Sequence, residues 1–433
     1  MIQFRRRGLA VAAIATALFA TACSSGSTST PPASDSPTAS ASESAAPVTL
    51  RYFTFSAAPD HVADLDKIVT AFEAENANIT INVETAPYDQ YFTKLQTALA
   101  GGTAPDTFEV NYENFVTYQE SGSLLDLSAA SAADSGFDPA VYATESLGAF
   151  AKDGKQFGLP ASFSTVVLIY NKKLFQDAGV ATPTADWTWA DVQSAADKLT
   201  DKSKGIFGAY QPPQFFEFYK SLAQAGGSFF GADGKAAFNG PEGLKAATWL
   251  TSKVGTVMPT EADGVGTPDY DTKLFKSGKL AMWTNGIWQF SGLKDAPFDW
   301  DVVVEPGDVK KASAVFQNGA AVSATTENAD AAFKWIRFLT SSDVTVDTRL
   351  ASSWDLPPIA DTAKLSAYLD VKPPTNRQAV FDSLQSIALP PVIASQQEMQ
   401  DAVTKELENA AAGRKSVQQA LDDAVATVNG LLG

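Results

Sequence analysis

The chain has 433 residues, 45% of them hydrophobic and 19% charged, a composition typical of a globular protein too long for a single compact core. Its formal net charge of −17 argues against nucleic acid and anionic lipid as binding partners. The only histidine, His61, and the only cysteine, Cys23, argue against a histidine-based metal site or catalytic triad and exclude an internal disulfide.

Residues 1–22 have the pattern of a secretory signal peptide. Three arginines at positions 5–7 precede the apolar run GLAVAAIATALFATA, which is too short to predict a membrane-spanning helix. The run ends at Cys23, and this end resembles a bacterial lipoprotein signal, in which that cysteine is acylated after cleavage. An ordinary export signal followed by a chance cysteine is the alternative.

Residues 23–47 form a low-complexity segment rich in Ser, Thr, Ala and Pro. Such a composition cannot bury a core, so the segment is predicted to be a disordered tether. With Cys23 acylated, the tether would let the folded part stand away from the membrane, which the protein would touch only through its lipid.

Strands alternate with amphipathic helices from Val48 onward. The stretches LRYFT, ITINV, PDTFEV, STVVLIY and KLAMWT read as strands, and the spacing of apolar residues between them is helical. Asp60, Thr188 and Asn239 are predicted N-caps, and Asn285-Gly286 is predicted to be a turn after KLAMWT. This alternation predicts an α/β fold with a parallel sheet.

Four stretches resemble the extracellular solute-binding proteins of ABC importers. They are STVVLIYNKKLFQDAGV, FKSGKLAMWTNGIW, NGAAVSATTENADAAFKWIRFLTS and ENAAAGRKSVQQALDDAVATVN, in the order that the family has. The resemblance covers nearly the whole chain after the tether and is strongest to the sugar-binding family that includes maltose-binding proteins. It implies two lobes, a ligand cleft between them, and delivery of the ligand to a membrane permease.

The resemblance also implies that the chain crosses between the lobes three times, near residues 166–170, 317–322 and 350–357. Lobe 1 would then comprise residues 48–167 and 321–350. Lobe 2 would comprise residues 168–320 and 351–433. The lobes would close on the ligand about these crossings.

A sugar site needs aromatic faces for the apolar side of a pyranose ring and planar polar groups for its hydroxyls. The cleft of an α/β lobe lies beyond the carboxyl ends of its strands. The predicted ligand-binding residues follow strands or lie at the crossings: Phe55, Ser56, Asn111, Tyr112, Glu113, Phe163, Ser164, Gln214, Phe215, Asn285, Trp288, Gln317, Asn318, Trp354 and Asp355.

Several of these residues have structural alternatives. Phe55 could end the core face of its strand, and Asn111 could simply cap a helix. Of Phe215 and its neighbour Phe216, at least one is predicted to be core. The family often has an acidic residue where this chain has Ser164, so a charge-assisted sugar contact there is in doubt.

Two tryptophans close together receive different predictions. Trp283 lies inside a strand and is predicted to be core, whereas Trp288 matches the stacking tryptophan of the family. Trp354 lies in a loop between small residues and prolines, which favours a ligand contact over core packing.

The sequence therefore predicts an exported, lipid-anchored, monomeric carbohydrate receptor that works with an ABC permease. It predicts no enzyme activity, cofactor, metal or nucleic-acid partner. The alternatives are the same fold binding a polyol, a glycerol phosphate or an amino compound, a glycoside hydrolase built on a carboxylate pair, and a purely structural surface lipoprotein.

Overall fold

The computed structural model describes residues 46–433, which belong to one compact unit. The predicted signal peptide, Cys23 and nearly all of the predicted tether lie outside the described residues. Within residues 46–433, no helix has both the length and the apolar character that a membrane span requires.

The described chain alternates strands and helices, as predicted. The strands are β1 (Val48–Thr54), β2 (Ile79–Thr85), β3 (Thr107–Asn111), β4 (Ala151–Lys152), β5 (Lys155–Gln156), β6 (Gly158–Asn171), β7 (Phe207–Tyr210), β8 (Leu280–Gly286), β9 (Trp300–Val304), β10 (Ser313–Val322) and β11 (Ile387–Ala388).

The helices range from single turns to five turns. They are α1 (Pro59–Glu75), α2 (Tyr88–Ala100), α3 (Tyr112–Glu120), α4 (Ser128–Ala133), α5 (Thr144–Gly148), α6 (Lys172–Ala178), α7 (Trp189–Leu199), α8 (Phe215–Gln224), α9 (Pro241–Thr251), α10 (Glu261–Gly264), α11 (Tyr270–Lys276), α12 (Ala329–Ser341), α13 (Asp343–Ser352), α14 (Thr362–Leu365), α15 (Ala367–Asp370), α16 (Gln378–Ser383), α17 (Gln396–Ala411) and α18 (Val417–Leu432). Three 3₁₀ turns span Pro139–Val141, Lys202–Lys204 and Ile287–Gln289.

One mixed sheet carries the architecture, in the order β2-β1-β3-β10-β6-β8-β7, with β11 beside β10 and β9 beside β6. The outer pairs β1–β2, β1–β3 and β7–β8 are parallel, as predicted. The central pairs β3–β10, β10–β6 and β6–β8 are antiparallel, so the prediction of a purely parallel sheet is wrong. The two long central strands run against their neighbours because they connect one half of the sheet to the other.

The strand β6 belongs to both halves of the sheet. Its first part, residues 158–165, pairs with β10, and its second part, residues 166–171, pairs with β8 and β9. Nearly every residue of β6 is buried, which explains why residues 166–170 of its second part form a continuous apolar run without alternation.

Each half of the sheet has its own apolar core. In the half that contains β1, Trp335 of α12 is fully buried and makes edge contacts with Tyr52 at 5.5 Å and Phe72 at 5.2 Å. In the half that contains β8, Trp283 is fully buried and lies 5.6 Å from Phe275, so its prediction as a core residue is confirmed. Aromatic anchors of this size fix the helices on the faces of the sheet.

Helix starts follow the prolines more closely than the predicted caps. Thr188 is the N-cap of α7 and forms a capping box with Asp191, as predicted for Thr188. The predictions for Asp60 and Asn239 are wrong, because α1 and α9 begin at prolines and their N-caps are Ala58 and Gly240. Proline favours the first helical position, which moves the cap to the residue before it.

The predicted turn at Asn285-Gly286 is wrong as well. Both residues extend β8 and pair with Val167 and Val166 of β6, and the chain turns only at the 3₁₀ segment that follows. This extension brings the segment with Trp288 closer to the centre of the sheet.

Gly208→Ala tests the contact between β7 and α7. A Cβ on Gly208 would lie 2.2 Å from the backbone oxygen of Ala196, so strand and helix would have to separate. We expect the free energy of unfolding, measured with urea, to fall by about 1–3 kcal/mol. Gly430→Ala is the control, since its Cβ meets nothing within 4 Å and alanine favours a helix by up to about 1 kcal/mol. Equal urea midpoints for wild type and Gly208→Ala would contradict the contact.

Candidate ligand-binding cleft

A cavity of about 290 Å³ lies beside the carboxyl end of β3, between residues of the two predicted lobes. Three of the predicted ligand-binding residues, Tyr112, Glu113 and Gln317, line it. The other lining residues are Glu145, Ala149, Val315, Phe316, Ile387, Leu389 and Pro390. The cavity therefore joins the start of α3 to β10 and to the segment that contains β11.

The acidic side of the cavity is held in place by Asn111. Its side-chain oxygen accepts a hydrogen bond from the Asn114 backbone N–H at 3.2 Å, so Asn111 is the N-cap of α3, the alternative left open by the sequence. Its Nδ2 donates to Glu113 Oε2 at 2.5 Å and to the Tyr88 hydroxyl at 3.1 Å. Asn111 thus orients the carboxyl group of Glu113 at the cavity.

Burial also sets the ionisation of that carboxyl group. Glu113 is only 4% exposed, and loss of hydration raises its pKa from 4.5 to about 7. Near neutral pH, Glu113 is therefore present in both protonated and ionised forms. A carboxyl group in this state can donate a hydrogen bond as well as accept one.

The apolar side of the cavity is backed by three aromatic rings, the aromatic triplet Phe216, Trp288 and Phe316. Phe316 of β10 lines the cavity, and it makes edge contacts with Phe216 of α8 at 5.5 Å and Trp288 at 5.4 Å. All three rings are half-buried. The triplet brings together a strand, a helix and a 3₁₀ turn, so its geometry depends on how these elements are held.

A glycine makes room for Trp288. A Cβ on Gly286 would lie 1.9 Å from the indole ring, although the backbone of Gly286, with φ of −84°, is accessible to any residue. The requirement for glycine is therefore space for the indole and not backbone conformation.

Gln317 offers a free hydrogen-bonding atom at the cavity. Its side-chain Oε1 is buried and has no hydrogen-bond partner. An unpaired buried acceptor is costly, and a ligand hydroxyl would satisfy it.

Two predicted residues, Asn318 and Asp355, are joined through Ser162 instead of lining the cavity. Asn318 Nδ2 donates to Ser162 Oγ at 3.2 Å, and Ser162 Oγ donates to Asp355 Oδ2 at 3.3 Å. These residues come from β10, β6 and the segment after α13. Burial raises the pKa of Asp355 to about 6. Ser56 is also buried, and its hydroxyl donates to Glu109 Oε2 at 3.3 Å.

Two predicted ligand residues lie in the core. Phe215 is 4% exposed and contacts Tyr219 and Phe229, because the helical phase of α8 turns its side chain inward and leaves Phe216 beside Phe316. Trp354 is 4% exposed, stacked on His61 at 4.8 Å and covered by the Arg349 guanidinium at 4.1 Å. The prediction that loop position keeps Trp354 out of the core is wrong.

The remaining predicted residues surround the cleft without lining the cavity. Phe55 is half-buried against Tyr88, Tyr91 and Phe92, which favours its core alternative. The others make local contacts or begin an element: the Phe163 backbone pairs with Leu356, Ser164 is buried opposite Phe316, Asn285 donates to Asp271 at 3.4 Å, and Gln214 precedes α8.

The sequence prediction missed much of the apolar wall. Phe316 directly precedes Gln317, and a strand assignment for SAVFQNG would have drawn attention to it. Ile387, Leu389 and Pro390 reach the cavity because β11 pairs with the start of β10, for which no local pattern exists. Among the residues that the structure describes, no group of three or more His, Cys, Asp or Glu side chains could hold a metal ion.

Comparisons with known proteins identify the family and the fold. Residues 58–346 match the family model of the bacterial extracellular solute-binding proteins. A solved ABC substrate-binding protein from Listeria monocytogenes, in complex with cycloalternan, is 43% identical with a TM-score of 0.86, and the match covers 89% of this chain and 99% of that one.

Two more distant relatives support the same fold. The cyclic alpha-maltosyl-1,6-maltose binding protein from Arthrobacter globiformis is 24% identical with a TM-score of 0.69, over 89% of this chain and 99% of that one. The maltodextrin-binding protein of Bacillus subtilis is 23% identical over 369 residues, 83% of this chain and 85% of its own. The predicted two-lobed α/β fold is confirmed. Since the family model spans more than half of its length, this chain belongs to the bacterial extracellular solute-binding proteins.

Proposed function

We propose that this protein is an extracytoplasmic receptor that binds a neutral carbohydrate in the cavity and delivers it to the permease of an ABC importer. The observation that carries the proposal is the pairing, across one cavity, of the Phe316 ring, backed by Phe216 and Trp288, with the fixed carboxyl group of Glu113 and the free oxygen of Gln317. Aromatic faces and planar polar groups are what a pyranose ring requires.

The charge of the cavity narrows the ligand class. None of its lining residues is a lysine, arginine or histidine, so a phosphorylated or carboxylated solute would have no cation to pair with. A glycerol phosphate is therefore disfavoured. An amino compound could pair with Glu113 or Glu145 and is the second candidate. A polyol would lack the ring face that the side chain of Phe316 can cover.

The most similar solved structure described above directs the choice of the first ligand to test. The Listeria protein was solved with cycloalternan and is similar to nearly the whole described chain. We therefore propose a glucose oligosaccharide, with cyclic tetrasaccharides as the first candidates. The protein would act as a monomeric binding protein without catalysis, in line with a family of binding proteins.

A thermal-shift and calorimetry panel tests the proposal. It contains cycloalternan, maltose, maltotriose, mannitol, glycerol 3-phosphate and an amino-acid mixture. A true ligand at 100 times its dissociation constant should add about 2.7 kcal/mol to the free energy of unfolding. Binding of the amino acids or of glycerol phosphate alone would overturn the carbohydrate assignment. Chromatography of the recovered sugars tests the absence of catalysis, which any turnover would contradict.

Trp288→Ala and Gly286→Ala should both weaken carbohydrate binding by about tenfold or more, because each removes or displaces the ring that supports Phe316. Calorimetry with the best ligand of the panel measures the effect. Trp283→Phe, a change at a core position of β8, is the control and should lower stability more than affinity. Unchanged affinity in both Trp288→Ala and Gly286→Ala would rule out a role for the triplet.

Glu113→Gln should gain stability relative to wild type as the pH rises from 5 to 8. Burial raises the pKa of Glu113 from 4.5 to about 7, so folding favours the protonated carboxyl group, and wild type loses stability as the pH rises through this window. Because glutamine cannot ionise, the variant avoids this loss of unfolding free energy, which amounts to up to about 3 kcal/mol in wild type. Urea unfolding of both proteins at pH 5, 6, 7 and 8 measures the difference. A difference that stays constant with pH would contradict a buried, titrating Glu113.

We also propose that Cys23 carries the lipid that anchors the protein to the outer face of the cell membrane, on the sequence pattern of residues 1–23. One acyl chain binds a membrane only weakly, so stable anchoring requires more than one. Cys23→Ser should release the protein into the soluble fraction and abolish incorporation of labelled palmitate. Membrane retention of Cys23→Ser would show that another segment holds the protein.

A further inference from the structure

A charged cluster without solvent contact lies behind the aromatic triplet. Lys220 and Glu217 of α8 are fully buried, and Glu305, just after β9, is nearly so. Lys220 Nζ lies 2.7 Å from Glu217 Oε2 and 2.9 Å from Glu305 Oε1, as ion pairs whose angles fall outside hydrogen-bond geometry. We call these three residues the lysine cluster.

Neutral side chains extend the lysine cluster to its neighbours. Gln211 Nε2 donates to Glu217 Oε2 at 2.7 Å, which ties the loop before α8 to the helix. Gln224 Nε2 donates to Glu305 Oε1 at 3.1 Å and to the Ala312 carbonyl oxygen at 2.7 Å, next to the start of β10. Trp189 of α7 donates to Gln224 Oε1 at 2.8 Å. Helix α8 is thereby bound to β10 and α7.

Stability alone does not account for this arrangement. Removing three charges from water costs so much that buried ion pairs contribute little net stability, and apolar residues of similar volume often replace them without loss. What a buried ion pair supplies instead is a fixed distance, since separating two buried opposite charges is costly. The question is which geometry the lysine cluster fixes.

The lysine cluster joins α8, which carries Phe216, to Glu305, which accepts a hydrogen bond from Gln224; Gln224 also donates to Ala312, just before β10. Phe216 lies on α8 directly before Glu217, and the Lys220 ammonium is 5.6 Å from the centre of its ring. Phe316 lies on β10, four residues after Ala312. The edge contact between Phe216 and Phe316 therefore depends on the distance between α8 and β10, which Gln224 bridges through Ala312 and to which the cluster contributes through Glu305.

We propose that Lys220 is a positioning residue for ligand recognition: by pairing with Glu217 and Glu305 it fixes α8 against the segment after β9, and through Glu305 and Gln224 it keeps Phe216 in contact with Phe316, which lines the cavity. Lys220 does not line the cavity and acts through Phe216. The expected effect on ligand affinity rests on the proposed function. The expected effect on the mobility of α8 rests on the structure alone.

The test uses a neutral triple variant, Glu217→Gln with Lys220→Met and Glu305→Gln. Lys220→Met alone would leave two buried carboxylates without a cation and could prevent folding. The matched control is Glu406→Gln with Lys415→Met and Asp423→Asn. This variant neutralises a second lysine that pairs with two carboxylates between α17 and α18. There, Lys415 Nζ lies 2.5 Å from Glu406 and 2.7 Å from Asp423.

Two measurements are made on both variants and on wild type in the full chain. Calorimetry gives the affinity for the best carbohydrate of the panel, and hydrogen exchange followed by mass spectrometry gives the protection of residues 211–220 without ligand. We expect the cluster variant to lose at least tenfold in affinity and to exchange faster over residues 211–220 while its circular dichroism stays native. The control should match wild type in both measurements.

Affinity within twofold of wild type, with unchanged exchange at residues 211–220, would overturn the inference. If the triple variant does not fold, Glu305→Gln decides by the same two measurements, with a threefold loss of affinity and faster exchange expected. If wild type binds no carbohydrate, the proposed function fails. Faster exchange at residues 211–220 in the cluster variant would then still support positioning by Lys220, whereas unchanged exchange would overturn the inference.

Discussion

The antiparallel pairing of β6 with β10 is the constraint on which the rest of the structure depends. Residues 158–165 and 315–321 form the centre of a sheet whose outer strands belong to different halves of the molecule. The same pairing places Phe316 and Gln317 at the cavity and sets Asn318 against Ser162. Any movement of one half against the other would therefore bend strands that also carry residues of the cavity.

Buried carboxyl groups occur at several points of this central region. Burial raises the pKa of Glu109 and Glu113 to about 7 and that of Asp355 to about 6, although the chain as a whole is strongly acidic. Burial thus favours the protonated form of these three carboxyl groups. A site of this kind can exchange hydrogen bonds with ligand hydroxyls without collecting a full negative charge, which suits a neutral solute.

The sequence predicted those features that local periodicity determines. The alternation of strands and helices, the cap at Thr188 and the burial of Trp283 follow from patterns within a few residues. The rule that ligands lie beyond strand ends placed Glu113 at the cavity, whereas Gln317 was predicted from the second crossing that the family resemblance implies. Burial of Phe215 and Trp354 depends on the phase of α8 and on contacts with His61 and Arg349, which only the tertiary structure defines. The antiparallel centre and the β11 segment lay beyond prediction for the same reason.

The position of the aromatic triplet depends on residues that are buried behind the cavity. Trp288 can lie beside Phe316 only because Gly286 leaves room for it, and Phe216 meets Phe316 only while α8 and β10 keep their separation. Neither condition involves a residue that touches solvent freely. A site whose first contacts are locked by buried supports loses less entropy when the ligand binds. Discrimination between similar sugars would then depend on the packing behind the cavity as much as on the side chains that line it.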